Sequence, residues 1–325
     1  MFEKAALMWI YAEHPVHAGS GSGVGAIDLP IQREQVTNWP IIQPSGVKGA
    51  LREYFEKLRD GSQSSDSDFG KKTEEVFGPG EAAEYSGAAS FTEAKVLFFP
   101  IRSLKGTFAY VTCPLALERF RRDLETLRDC NGTNLIDAGQ DRPAFPVFPD
   151  DPGMESVWVA AKKGEPGKAD SLLTTGKDHL VFEELSFKAK PHPEIGNLAE
   201  WILKAAGSLP WLDSGHLSKR LAIVSDDMFK DFVEMSTEVI TRNRIDDETG
   251  TVQQGALWIE EHLPRETVLY SLIFAAKPFV KESERKLPGA GDVLNFITGQ
   301  DCMPRYIWIG GNTTVGRGLV RLGFI

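Results

Sequence analysis

Short apolar runs rich in β-branched and aromatic residues alternate with stretches whose apolar residues recur every three to four positions. That interleaving restricts a chain of 325 residues to α+β or α/β layering. Lys4 to Tyr11 reads as a buried strand, as do Val96 to Phe99, Thr107 to Val111, Ser156 to Ala161, Leu180 to Phe187, Thr267 to Ala275 and Tyr306 to Ile309. Helical spacing covers Pro114 to Arg128, with Leu115, Leu117, Phe120, Leu124 and Leu127 inward, and also Ile195 to Ala206 and Asp226 to Met235. Residues 238–261 read as a projecting hairpin, two strand-like segments around the turn-rich Asp247-Glu248-Thr249-Gly250. No repeat of fixed period and no clean linker interrupts the pattern, so a single domain over 1–325 is expected, with insertions around 60–90.

Between the first strand and the first helix lies a long segment, Ala12 to Pro40, without periodicity, containing Gly19-Ser20-Gly21-Ser22-Gly23-Val24-Gly25. Loops of that length inside a compact chain are usually functional or mobile. Ser45 is placed as the N-cap of the helix that follows, whose stripe is Val47, Leu51, Tyr54, Phe55 and Leu58. The Ser/Asp/Gly-rich stretch 60–68 reads as a surface insertion.

Composition removes several classes. With 36 Lys+Arg against 46 Asp+Glu the chain carries a formal charge of −10, which argues against non-specific coating of nucleic acid and leaves room for a local basic groove. Cys113, Cys130 and Cys302 are odd in number and far apart, the pattern of neither a disulfide framework nor a zinc ribbon. No apolar stretch is long enough to span a bilayer and no leader pattern opens the chain, so no membrane association and a cytoplasmic location are expected.

Two glycine motifs fail as nucleotide sites. Gly21-Ser22-Gly23-Val24-Gly25-Ala26 is followed by Pro30 where a dinucleotide fold needs a helix. Gly311 to Gly318 has P-loop glycine spacing, but Arg317 stands for the lysine and Gly318 for the hydroxyl residue that binds Mg²⁺. Its glycines serve either as tight turns or as a backbone nest for phosphates. Asp28, inside the flexible run, either closes a turn or presents a carboxylate to a hydrated cation or a nucleophile. Lys48 and Arg52, one helical turn apart, form a solvated face or meet a phosphate at the helix N-terminus. His17 alone is more often a loop hydrogen-bonder than a ligand.

In chain order, His17-Ala18-Gly19-Ser20-Gly21, Ile27-Asp28-Leu29-Pro30-Ile31-Gln32-Arg33-Glu34, Pro44 to Arg52, Gly255 to Glu261 and Gly310 to Gly318 resemble the RAMP superfamily of CRISPR proteins. The likeness is greatest to the repeating backbone subunit of the type III-B (Cmr) effector complex. That resemblance implies an α+β fold, a ferredoxin-like (RRM-like) palm with insertions and a protruding β-hairpin thumb. It implies as partners CRISPR RNA, single-stranded target RNA, neighbouring copies of the chain and other Cmr subunits. The guide backbone would lie on Ser45, Lys48, Arg52, Gly311, Asn312, Thr313, Thr314, Gly316 and Arg317. Target cleavage at regular intervals would need a divalent metal ion, Mg²⁺ or Mn²⁺, with Asp28 as catalytic residue and metal ligand, and with His17 and Glu261 in support.

Two other readings share these motifs. One is an architectural subunit that holds guide RNA without cutting. The other is an endoribonuclease that processes the CRISPR transcript with a histidine general acid or base, for which His17 is available.

Overall fold

A computed structural model describes the chain apart from residues 1, 24, 61–66, 81–84, 132–133, 140–141, 166, 177, 207–213 and 300–302. Val24, Cys302 and most of the 60–68 insertion therefore lie outside the described residues. In chain order the elements are β1 (Lys4–Ala12), β2 (Ile41–Ile42), α1 (Pro44–Asp60), α2 (Phe69–Phe77), β3 (Ala89–Phe91), β4 (Ala94–Arg102), β5 (Phe108–Thr112) and α3 (Pro114–Asn131). There follow β6 (Ser156–Ala160), β7 (His179–Phe182), β8 (Leu185–His192), α4 (Glu194–Ala205), α5 (Ser214–Arg220), β9 (Leu221–Ile223) and α6 (Asp226–Met235). The chain ends with β10 (Glu238–Ile245), β11 (Val252–His262), β12 (Val268–Ala275), α7 (Ala290–Thr298), β13 (Tyr306–Trp308), a 3-10 turn (Thr313–Val315) and β14 (Leu319–Phe324).

One mixed sheet runs β13-β14-β1-β12-β4-β5-β9-β6-β8-β7, with β2 against β4 and β3 against β12. Only β5/β9 and β6/β8 pair in parallel among these described ladders. β1 explains the order. Its residues alternate between two cores, Met8, Ile10 and Ala12 into one and Leu7, Trp9 and Tyr11 into the other, so both faces are covered and the sequence shows a continuous apolar run. On the first side α1, α2, α6 and α7 bury Leu51, Phe77, Phe229 and Val293. On the second, α3 brings Phe120 against Trp9 and Tyr270, and α4 packs Trp201 on Phe120.

Several sequence expectations need correction. α1 begins at Pro44, so Ser45 is a first-turn residue and the Gln43 carbonyl accepts from the Gly46 and Val47 amides. Proline supplies the fixed φ that suits this first position. Leu115 is exposed and Ala116 takes the inward position on α3. The run Leu180 to Phe187 is two strands, turned at Glu183 with φ +49°. Cys113 is buried, and that burial pushes its thiol pKa up.

The hairpin β10–β11 stands apart as its own two-stranded sheet. Its tip is closed by Asp246, whose Oδ1 accepts from the Thr249 amide at 2.9 Å and the Glu248 amide at 3.1 Å. Those donors hold the Asp246 carboxyl below the usual range. At its base the hairpin runs into β12 through residues 263–267, and there the long loop between β1 and β2 docks.

Candidate functional site

The last three residues of β11, Glu260-Glu261-His262, are all buried, at 2%, 2% and 0% exposure. A strand end that buries two carboxylates and an imidazole must supply partners for them. Glu261 receives Arg33 Nη2 at 2.5 Å, the Thr237 hydroxyl at 2.9 Å and the Ile31 amide at 3.0 Å. Its backbone also holds the loop: the Glu261 amide donates to Leu29 O at 3.0 Å, and its carbonyl accepts from His17 Nδ1 at 2.7 Å. Because a carbonyl only accepts, Nδ1 carries the proton and Nε2 is the open nitrogen of His17.

Asp28 completes this edge. The Ile259 amide donates to Asp28 Oδ2 at 2.7 Å and the Leu29 amide to the Ile259 carbonyl at 3.0 Å, so the loop adds a short parallel bridge along β11. Asp28 itself is exposed. Its Oδ1 has no partner among the described residues. Oδ2 is thus spent on a long-range bond to β11 and closes no local turn, while Oδ1 faces outward.

On the opposite side Glu260 accepts from Trp258 Nε1 at 2.8 Å, Arg242 Nη1 at 2.9 Å and Asn312 Nδ2 at 3.0 Å. Burial opposes its ionisation. The Trp258 indole and the Arg242 and His262 neighbours outweigh burial and hold the carboxyl below its ordinary range. Arg242 lies over the Trp258 ring, 5.4 Å from the centroid. His262 Nε2 is 3.5 Å from Glu260 Oε2. Burial, followed by the nearby Arg317 and His17, depresses its pKa to about 4, so it is neutral at pH 7.

The C-terminal loop docks on the same base. Gly311 N donates to His17 O at 2.9 Å and Gly318 N to Pro15 O at 2.8 Å. At Gly310 (φ +86°) an added Cβ would lie 2.2 Å from His17 O, and at Gly318 (φ +85°) 2.3 Å from Ile309 O. These two glycines serve close approach and tight turning. Gly316 (φ +78°) faces open space. Asn312 adopts the left-handed region at φ +64°, and its side chain is committed to Glu260 and Arg242. The Val315, Gly316 and Arg317 amides donate to Asn312 and Thr313 carbonyls, which narrows any phosphate nest to the outer rim. Thr313 and Thr314 are exposed on that rim.

Asp28, His17, Glu261 and the loop 310–318 therefore meet around one strand end. Lys48, Arg52 and Ser45 lie apart on α1, which packs beside β13, the strand leading into that loop. Burial and the Arg52 charge lower the Lys48 pKa, and Arg52 pairs with Glu56 at 2.8 Å. Sequence reading missed Glu260, Arg242, Arg33 and His262. Their signal was three consecutive ionisable residues where an exposed hairpin would alternate.

Among the described residues no group of three or more His, Cys, Asp or Glu side chains is placed to hold a metal ion. A single open carboxylate oxygen suits a hard, largely hydrated cation such as Mg²⁺ that completes its shell on phosphates. No helix among the described residues is long and apolar enough to cross a membrane.

The chain is 36% identical over 322 residues to the CRISPR system Cmr endoribonuclease Cmr4 of Pyrococcus furiosus, covering 98% of this chain and 95% of that one. It is 24% identical over 343 residues to the CMR subunit Cmr4 of Saccharolobus solfataricus, covering 98% and 95%. The crystal structure of oligomeric Cmr4 from P. furiosus superposes with a TM-score of 0.68 at 30% identity, over 99% of this chain and 98% of that one. A chain of the type III-B Cmr-beta complex bound to cognate target RNA shares the fold, with a TM-score of 0.68 at 20% identity over 99% and 98%. The RAMP superfamily model matches residues 9–321, and the chain belongs to that superfamily as a homologue of Cmr4.

Proposed function

We propose that the chain is a guide-RNA-binding backbone subunit of a type III-B Cmr effector complex and cleaves paired target RNA beside Asp28. The observation that carries this is the exposed Asp28 carboxylate, fixed through Oδ2 to the Ile259 amide at 2.7 Å with Oδ1 open. In this reading the main sheet is a ferredoxin-like palm and β10–β11 is the thumb. The guide backbone runs along α1 near Lys48 and Arg52 and over Thr313, Thr314 and Arg317. Guide RNA, target RNA, further copies and other Cmr subunits are the partners, in the cytoplasm.

The chemistry is attack by the ribose 2′-hydroxyl on the adjacent phosphorus. The P–O5′ bond breaks, leaving a 2′,3′-cyclic phosphate and a 5′-hydroxyl, and the proton lost from the 2′-oxygen is matched by one gained at the 5′-oxygen. In this reading Asp28 Oδ1 orients the 2′-hydroxyl for attack. Mg²⁺ or Mn²⁺ held by Asp28 and RNA phosphates would supply charge neutralisation at the phosphoryl oxygens. His17 and Glu261 act by fixing the loop that carries Asp28, since both are bound to backbone or buried partners.

The test is target cleavage by the reconstituted, guide-loaded complex in Mg²⁺ or Mn²⁺, comparing wild type with Asp28→Ala at equal target binding. Regularly spaced products that vanish in the variant support the reading. Unchanged cleavage sinks it and leaves a scaffold subunit.

A further inference from the structure

We propose that Trp308 and Tyr306 form a stacking platform for bases of the RNA strand whose backbone lies on the loop 310–318. This rests on the RNA-binding reading above and extends it to a surface that reading leaves unused. β13 alternates sharply: Ile307 is 3% exposed in the core, while Tyr306 and Trp308 are 44% and 42% exposed. The register Tyr306↔Arg321 and Trp308↔Leu319, continued by Tyr11↔Arg321, puts both aromatics on the sheet face that α3 covers further in and leaves open over β13. β13 is also the edge of the sheet. Edge strands are ordinarily blunted with charge, and one that presents Trp and Tyr instead has a surface built to be covered.

Three observations favour a nucleic-acid base as the cover. The strand passes through Ile309 directly into Gly310, so the platform is continuous with the loop assigned to the guide. A cation sits on it and others adjoin it in the chain: the Arg321 guanidinium is 4.6 Å over the Tyr306 ring, Arg317 is in the loop that follows, and exposed Arg305, next to Tyr306, has no ion pair among the described residues. Against these three arginines stand Glu13, paired with Arg321 at 2.6 Å, and Glu238, 3.8 Å from Arg317, which leaves a local positive excess on a chain of net charge −10. Finally, residues two apart on a strand are spaced about 7 Å, room for successive splayed bases on one face. Stacking is tolerant of base identity, as a subunit carrying guides of varied sequence requires.

The experiment uses the full-length chain with single-stranded RNA carrying 2-aminopurine at successive positions, read by fluorescence and by anisotropy. Trp308→Ala should weaken binding about 5- to 150-fold and unquench 2-aminopurine at particular positions, and Trp308→Phe should restore most of both. Thermal melting checks that these surface variants fold. If Trp308→Ala leaves affinity and quenching unchanged while Arg317→Ala weakens binding, the platform is wrong and the RNA-binding reading stands. If Trp308→Ala changes only the size of RNA-free assemblies, the surface joins copies of the chain, and the proposal is overturned. Unchanged binding in Trp308→Ala, Arg317→Ala and Lys48→Ala together overturns the underlying reading as well.

Discussion

Replacing Glu261 by alanine removes the clasp between β11 and the Asp28 loop, and its cost can be worked from the contacts. Three donors lose their acceptor: Arg33 Nη2, the Thr237 hydroxyl and the Ile31 amide. Hydrogen bonds to a charged group are worth roughly 1.5–3 kcal/mol each, and breaking a buried pair about 3–5 kcal/mol. The lower end applies, because Arg33 keeps the Asn38 carbonyl at 2.9 Å and the Val233 carbonyl at 3.1 Å, and is 16% exposed. The expected loss is therefore about 3 kcal/mol, or a fall of roughly 4–5 °C in the melting temperature of a chain of 325 residues. Glu261→Gln should lose about 2 kcal/mol, since its amide nitrogen must face either the guanidinium or another donor. Arg33→Ala should lose less than Glu261→Ala, because Thr237 and Ile31 still satisfy the carboxylate. The double variant should then cost clearly less than the two single variants summed, a coupling of about 1–2 kcal/mol. Chemical denaturation of the four proteins measures the cycle. Additive losses, or a Glu261→Ala cost under 1 kcal/mol, would refute the clasp.

Gly310→Ala must relieve a contact of 2.2 Å with His17 O as well as a positive φ, whereas Gly316→Ala meets open space. The latter should cost about 1–2 kcal/mol and the former clearly more, read as denaturation midpoints. His262 is neutral when folded, with its pKa depressed to about 4 by burial first. The unfolded chain therefore binds the extra proton between about pH 6.5 and 4, and stability present above pH 6.5 falls through that window by at most about 3 kcal/mol. His262→Gln should flatten the profile there; an unaltered slope assigns it to other groups. Tyr11 and Tyr110 both donate to Glu266 Oε2, Tyr110 at 2.6 Å, so either Tyr→Phe change should cost about 1.5–3 kcal/mol by denaturation.

The elements legible from sequence were those whose pattern is long. β1, β12, α4 and α6 each carry a continuous apolar run or a clear helical stripe. Leu180 to Phe187 looked like one such run because Glu183-Glu184 sits between apolar residues, and only the positive φ at Glu183 shows the turn. α7 escaped notice because it opens Ala290-Gly291 and contains few strong helix formers. At the site, Asp28, His17 and Glu261 could be named from motif order. Their meeting depends on a strand pairing between residues more than 200 positions apart, which no local pattern encodes. Glu260 and Arg242 were hidden for another reason. A projecting hairpin is expected to send alternate polar residues to solvent, and here the last turn of alternation is buried beneath the loop 310–318.

That burial constrains how the site can work. Glu260 is spent on Trp258, Arg242 and Asn312, and Glu261 on Arg33, Thr237 and Ile31. His17 has given Nδ1 to a carbonyl and packs its ring 5.3 Å from His262. Each therefore fixes the loop–hairpin junction, and Asp28 alone of the four carries an exposed, unpartnered oxygen. A lone carboxylate supplies only part of the barrier reduction that phosphodiester cleavage needs, so in the proposed reaction the remainder would come from the divalent cation and from the RNA: its own 2′-hydroxyl, its phosphate oxygens and its alignment. Alignment is what the junction can provide. The hairpin, the Asp28 loop and the C-terminal loop are tied through Ile259, Glu260 and Glu261 of β11, and a shift of one moves the others. Loosening the junction without touching Asp28, as Glu260→Gln would do, should accordingly lower cleavage more than target binding. Equal losses in both would mean that the junction serves only to hold RNA.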